Sequence, residues 1–252
     1  MLALTREISS AIGHCELTHL AREPIDLLRA RAQHQEYERA LESLRCTVRR
    51  LPADETMPDS VFIEDTAVVL PEIAVIARPG AESRRIEVSA VAAALEPLRR
   101  LFHIGSPGTL DGGDVLVIGR TIFVGRSTRT NDAGVEQLRA AVAPFGYAVD
   151  LVSTSGCLHL KSAVTAIDER TVLINPRWVS REPFQACRQI DVDPSEPGAA
   201  NVVSAGGQVV AAASFVRTCE RLEEHGIRVT RVDASELAKA EGALTCCSIL
   251  VS

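Results

Sequence analysis

Apolar residues fall along this chain in short runs rich in Val, Ile and Leu, each opened by a polar residue. Such runs begin at Asp65, Asp114, Lys161, Asn201 and Cys246, and these first residues stand 49, 47, 40 and 45 positions apart. Short β-branched runs bounded by Gly, Pro or charge predict strands. After the first four comes a turn and a second apolar run, at 74–77, 121–124, 171–174 and 208–211. The recurrence of one unit predicts a repeat architecture.

Between the units the period changes from two to that of a helix. Val88, Val91, Leu95 and Leu98 share one helical face, as do Val135, Leu138 and Val142, and Phe215, Cys219 and Leu222. The segment from Trp178 to Ile190 contains Pro183, which argues against a long helix there. The fifth unit, at the carboxyl end, lacks room for its second half. Its missing parts are predicted at the amino end: a strand over Leu2 to Ile8, a helix over Asp26 to Leu44 with Tyr37, Ala40, Leu41 and Leu44 on one face, and a strand over Cys46 to Leu51. The last unit then closes on the first. Periodicity therefore predicts an α/β repeat protein whose ββαβ units surround an axis, with 1–252 forming a single domain and no linker dividing it.

Composition narrows the possible partners. With 46% hydrophobic residues the chain can fill a sizeable core, and 27 Lys and Arg against 33 Asp and Glu leave a net charge of −6. That balance argues against nucleic acid and suits a small cationic partner. Seven cysteines without regular spacing read as free thiols in a reducing compartment. No run approaches the roughly 18 apolar residues of a membrane helix, and no secretory signal opens the sequence, so a cytoplasmic protein without membrane contact is expected.

If the units encircle an axis, the residues opening their first strands converge: Asp65, Asp114, Lys161, Asn201 and Cys246 would face one central cavity, rimmed by Glu64, Asp111 and His159. A thiol, an imidazole and a carboxylate beside apolar runs are the parts of a cysteine hydrolase. Each has a plainer reading. Cys246 could be a buried apolar cysteine, His159 a structural histidine between leucines, and Leu110-Asp111-Gly112-Gly113-Asp114 a turn. Cys247, next to Cys246, is assigned to packing. Asp59, Glu64 and Asp65 could form a solvated acidic loop, yet Glu64 and Asp65 sit among apolar residues where unpaired carboxylates are costly. A guanidinium, with planar donor pairs, is the cation that offsets such burial. A structural zinc on Cys157, His159, Cys246 and Cys247 is disfavoured by their spacing.

Taken together, the Asp59 to Asp65 segment, the Asp111 turn, Leu158-His159-Leu160-Lys161-Ser162 and Leu244-Thr245-Cys246-Cys247-Ser248 resemble the guanidine-modifying enzymes over nearly the whole chain. The resemblance is closest to the dimethylarginine dimethylaminohydrolases. It implies a five-bladed α/β propeller, with Cys246 as nucleophile, His159 as acid and base, and Asp111 as its orienting carboxylate. It further implies that Asp59 and Asp65 anchor a substrate guanidinium assisted by Glu64, and that Arg84 and Arg129 grip the substrate carboxylate. Leu17 would lie in a loop over the site, and the Ala240 backbone would meet the substrate amine. The implied reaction is hydrolysis of a methylated arginine, a small-molecule substrate, to citrulline. No cofactor is expected, although zinc on Cys246 would inhibit, and a homodimer is left open. The alternatives are an arginine deiminase, disfavoured by the absence of space for a helical insertion, and a non-enzymatic binding protein of the same fold, disfavoured by the intact Cys246, His159 and Asp111 set.

Overall fold

The computed structural model describes residues 1–252, which form five three-stranded sheets. The first sheet contains β1 (Leu2–Arg6) and, after α1 (Leu27–Ser43), β2 (Thr47–Leu51). The second holds β3 (Ala67–Val69), β4 (Ile73–Ile76), α2 (Val88–Leu95) and β5 (Arg100–His103). In the third, β6 (Val115–Ile118) and β7 (Thr121–Arg126) are followed by α3 (Asp132–Val142) and β8 (Ala148–Ser153). A single turn, α4 (Leu160–Ala163), leads into β9 (Val164–Asp168), β10 (Thr171–Ile174) and β11 (Arg188–Asp191). The last full unit is β12 (Val203–Ala205), β13 (Gln208–Ala212), α5 (Val216–Glu224) and β14 (Arg228–Val232). After the short α6 (Ser235–Ala238), β15 (Ile249–Val251) returns to the first sheet and pairs with β1.

Every sheet repeats one pairing rule: the inner strand is antiparallel to the middle strand, and the middle strand is parallel to the outer. A parallel return requires a crossover, which the helices supply in four units. In the fourth sheet the crossover is irregular, with Pro183 in a 3-10 turn over Glu182–Phe184, in keeping with the proline expectation. The inner strands meet about an axis: β15 abuts β3, β6 abuts β9 and β9 abuts β12. All five contribute to a central cavity of about 230 Å³. The expected propeller of five ββαβ units is therefore the observed architecture.

The amino-terminal helix shows how closely local chemistry sets an element. The Asp26 side chain accepts from the Arg29 amide and caps α1, and Tyr37, Ala40, Leu41 and Leu44 are buried in a cluster with β12 and β13 residues such as Val203 and Val210. Two expectations need correction. Leu98 lies beyond α2 and is 37% exposed, because the helix ends at Leu95. More consequentially, Asp65, Asp114, Lys161 and Cys246 do not open strands. They lie in short helical turns, Ile63–Thr66, Gly112–Asp114, Leu160–Ala163 and Thr245–Cys247, and Asn201 follows another, Pro197–Ala200. One turn thus precedes every inner strand, and a helical turn sends successive side chains in different directions.

Candidate active site

The turns carry the chemistry, and their fanning divides the expected central cluster into two layers. Asp59, Asp65, Arg84, Arg129, His159, Ala240 and Cys246 line a common narrow cleft. Glu64, Lys161 and Thr245 face the central 230 Å³ cavity instead. Glu64 does not line the cleft: its Oε1 accepts from Lys161 Nζ at 2.6 Å and its Oε2 from Thr245 Oγ1 at 2.7 Å. Asp114 is fully buried and Asn201 lines a third cavity, so the five equivalent positions do not converge on one space, contrary to expectation.

His159 stands between two carboxylates. Its Nε2 is 3.2 Å from Asp111 Oδ2 and its Nδ1 is 3.8 Å from Asp65 Oδ1. Burial alone would push its pKa down, but Asp65 and the hydrogen bond to Asp111 outweigh it and hold the ring at about 9, so the imidazole is a cation. Asp111 is itself fixed, because its Oδ1 accepts from the Gly80 amide at 2.9 Å. The glycines beside it are required by space: a Cβ on Gly113 would stand 2.7 Å from His159 Nδ1 and 2.8 Å from Asp65 Oδ1. The Gly113 amide instead donates to Asp65 Oδ1 at 3.0 Å.

Cys246 is half-buried in the wall of the cleft. Burial pushes its thiol up to about 12, with Glu64 and Asp65 adding to the effect, so it is protonated when the cleft holds no cation. Its turn is pinned through Thr245, whose amide donates to Asn201 Oδ1 at 2.9 Å. Cys247 points into the core with no exposure, and its Sγ donates to the Ala243 carbonyl at 3.4 Å. Cys247 thus packs in the core, and the helical turn is what points it away from its neighbour Cys246.

Asp65 Oδ2 receives Arg84 Nη1 at 2.6 Å, and Arg84 also donates to Glu87 and to the Phe62 carbonyl. Its guanidinium is buried, and its donors are committed to the acidic cluster. Arg129 is half-buried and donates to Thr18 Oγ1 at 3.1 Å. Asp59, whose carboxyl is pushed up by burial, accepts the Glu16 amide on both oxygens, at 3.1 and 3.2 Å. Farther along the same strap, residues 15–20, the amides of Thr18, His19 and Leu20 donate to Glu241. Leu17 lies within this strap but does not line the cleft, whereas Ala240 does. Glu16 and Glu241 were not foreseen: segment 15–20 has no periodicity, and only proximity in the fold reveals their roles.

As possible metal ligands, only Asp65, Asp111 and His159 bring their donor atoms within 4.8 Å of one another. A protonated His159 and the Arg84 bond to Asp65 make this an ion-pair network unsuited to a cation. Cys157 lines the third cavity and Cys247 lies in the core, so the four-residue zinc set is not assembled. No helix is long and apolar enough to cross a membrane.

Comparison with known proteins agrees with this geometry. Residues 55–204 match the model of the arginine deiminase family. The chain is 43% identical to N(G),N(G)-dimethylarginine dimethylaminohydrolase of Streptomyces coelicolor, over 98% of this chain and 95% of that one. It is 34% identical to the enzyme of the same name from Pseudomonas aeruginosa, over 89% of each. A solved structure of the Pseudomonas protein, a Cys-to-Ser mutant complexed with citrulline, superposes with a TM-score of 0.93 at 31% identity, over 98% of this chain and 97% of that one. A dimethylarginine dimethylaminohydrolase adduct with S-methyl-L-thiocitrulline gives 0.92 at 31% identity, over 98% of each chain.

Proposed function

Because the chain belongs to the dimethylarginine dimethylaminohydrolase family, we propose that it hydrolyses Nω-methylated arginine to citrulline and methylamine or dimethylamine. The observation that carries this reading is the single cleft on which Cys246, the imidazolium of His159 and the carboxylate of Asp65 all open. A guanidinium bound at Asp65 places positive charge beside Cys246 and favours loss of the thiol proton that burial otherwise retains. The thiolate attacks the guanidinium carbon to give a tetrahedral adduct. His159, already protonated, donates its proton to the departing amine and leaves a thiouronium on Cys246. The neutral imidazole then takes a proton from water, hydroxide adds to the thiouronium carbon, and collapse releases citrulline and the thiol. Asp111 holds the ring through both half-reactions.

Substrate binding is read as an exchange of partners. Arg84 gives up Asp65 to the substrate guanidinium and, with Arg129, takes the substrate carboxylate, so that no buried charge is left alone. Asp59 adds negative charge at the same cleft, the Ala240 backbone meets the substrate amine, Leu17 belongs to the loop over the site, and Glu64 supports the turn from behind through Thr245. No step needs a cofactor.

Citrulline release from arginine, monomethylarginine, asymmetric dimethylarginine and symmetric dimethylarginine, measured separately, tests the proposal, with Cys246→Ser as control. Turnover of the monomethyl and asymmetric dimethyl substrates, lost in the control, is expected. Turnover of arginine alone would make the protein a deiminase, and retained turnover in Cys246→Ser would remove that thiol as nucleophile.

A further inference from the structure

Asp114 touches neither the cleft nor the imidazole by a hydrogen bond, yet it is fully buried and both its oxygens are engaged. Oδ1 accepts the amide of Leu160, the residue next to His159, at 3.1 Å. Oδ2 accepts the hydroxyl of Thr130 at 2.7 Å and that of Ser127. Each hydroxyl passes the contact on. Thr130 Oγ1 accepts the amide of Asp111 at 3.2 Å, and Ser127 Oγ accepts the amide of Arg129 at 3.0 Å. One carboxylate therefore reaches the His159 turn directly and the backbones of Asp111 and Arg129 through a single hydroxyl each.

We infer that Asp114 is a positioning residue, fixing His159, its partner Asp111 and the cleft-lining Arg129 in one frame. The inference rests on the hydrolase reading for what those three residues do. Its physical basis is the cost of the arrangement. A buried carboxylate with no Lys or Arg contact is unfavourable, and burial raises its pKa, so the network of three donors offsets a penalty that an apolar residue would not incur. The fit is also tight. A Cβ on Gly125 of β7 would stand 2.9 Å from Asp114 Oδ1 and 2.8 Å from Leu160 Cβ, so the strand leaves no slack around the carboxylate. The two hydroxyl arms lead to different parts of the reaction. The Thr130 arm ends on the partner of the catalytic imidazole, and the Ser127 arm ends on a binding group.

The arms make the inference testable by a split that a purely structural role would not produce. Thr130→Val, nearly isosteric, removes the link to Asp111. It is expected to lower kcat roughly 10- to 100-fold with KM little changed, since small misplacements of a proton donor cost that much. Ser127→Ala is expected to raise KM about tenfold with kcat held within about threefold. Asp114→Asn should show both effects, and if that variant does not fold, the hydroxyl variants carry the test. An independent readout is the Nε2–H proton resonance of His159 in histidine-labelled protein, expected to be lost or broadened in Thr130→Val and retained in Ser127→Ala. Folded Thr130→Val and Ser127→Ala proteins with the same loss in kcat and KM, or an unchanged His159 resonance in Thr130→Val, would overturn the inference. Absence of citrulline from the wild-type protein would count against the reaction alone, because the His159 resonance still decides the positioning role.

Discussion

His159 faces a carboxylate at each ring nitrogen, and this makes it an acid before any substrate arrives. Cys246, by contrast, keeps its proton in the free protein. The productive free form, thiolate with imidazolium, is therefore the minor one, and its abundance depends on pH in a characteristic way. Below about 9, where His159 stays charged, the thiolate fraction rises roughly tenfold per pH unit, so kcat/KM should climb with that slope. Between about 9 and about 12 the gain in thiolate is cancelled by loss of imidazolium, and kcat/KM should level off. Alkylation of Cys246 by iodoacetamide needs only the thiolate and should keep rising past the point where turnover flattens. Alkylation and turnover that flatten together near pH 9 would mean that a single group controls both.

The recurring element of this fold is the short turn ahead of each inner strand, and its geometry leaves little room for substitution. At Gly113 an added methyl would enter the space between His159 and Asp65. Gly113→Ala is expected to lower citrulline release by about 100-fold and to lower Tm by several degrees, because the imidazole and the carboxylate must separate. Loss of stability without loss of turnover in the folded fraction would show that this spacing is not critical. The turns also mark the limit of what the sequence reveals. Strand cores such as Val115 to Ile118 and Thr171 to Ile174 are legible because β-branched runs have few other uses, and α1 is legible because Asp26 caps it and Tyr37, Ala40 and Leu41 share its buried face. A polar residue immediately before such a run reads equally as a strand's first residue or as the end of a helical turn, and at Asp65, Asp114 and Cys246 the turn is correct. The motifs brought Cys246, His159 and Asp111 to one site. They could not show that Glu64 belongs to the layer behind, or that Arg84 binds Asp65, since both outcomes depend on which neighbours the ring supplies.

At the scale of the molecule, the first sheet is built from both ends of the chain. Leu2 is the antiparallel partner of Val251 and Leu4 that of Ile249, so residues 1 and 252 lie close together. In the neighbouring sheet, β12 and β13 are joined by Gly206 and Gly207, both exposed and both at positive φ, the geometry of a tight hairpin that glycine tolerates. A circular permutant that links residue 252 to residue 1 through a few glycines and opens the chain between Gly206 and Gly207 should keep kcat within about threefold. Deleting residues 249–252 should abolish turnover, and a truncated protein that still releases citrulline would show that the β1 to β15 pairing is dispensable.

The same pairing gives the assembly pathway a safeguard. Cys246 lies three residues from β15, a strand whose partner is almost the whole chain away, while His159 and Asp111 stand at the turns ahead of sheets closed by more local contacts. Contacts between distant segments carry the greatest loop-closure cost and tend to form late. A folding intermediate with four sheets in place would therefore hold an oriented imidazole but no nucleophile beside it. Reactivity toward guanidinium groups would appear only with the closed ring, so incomplete molecules would remain chemically silent.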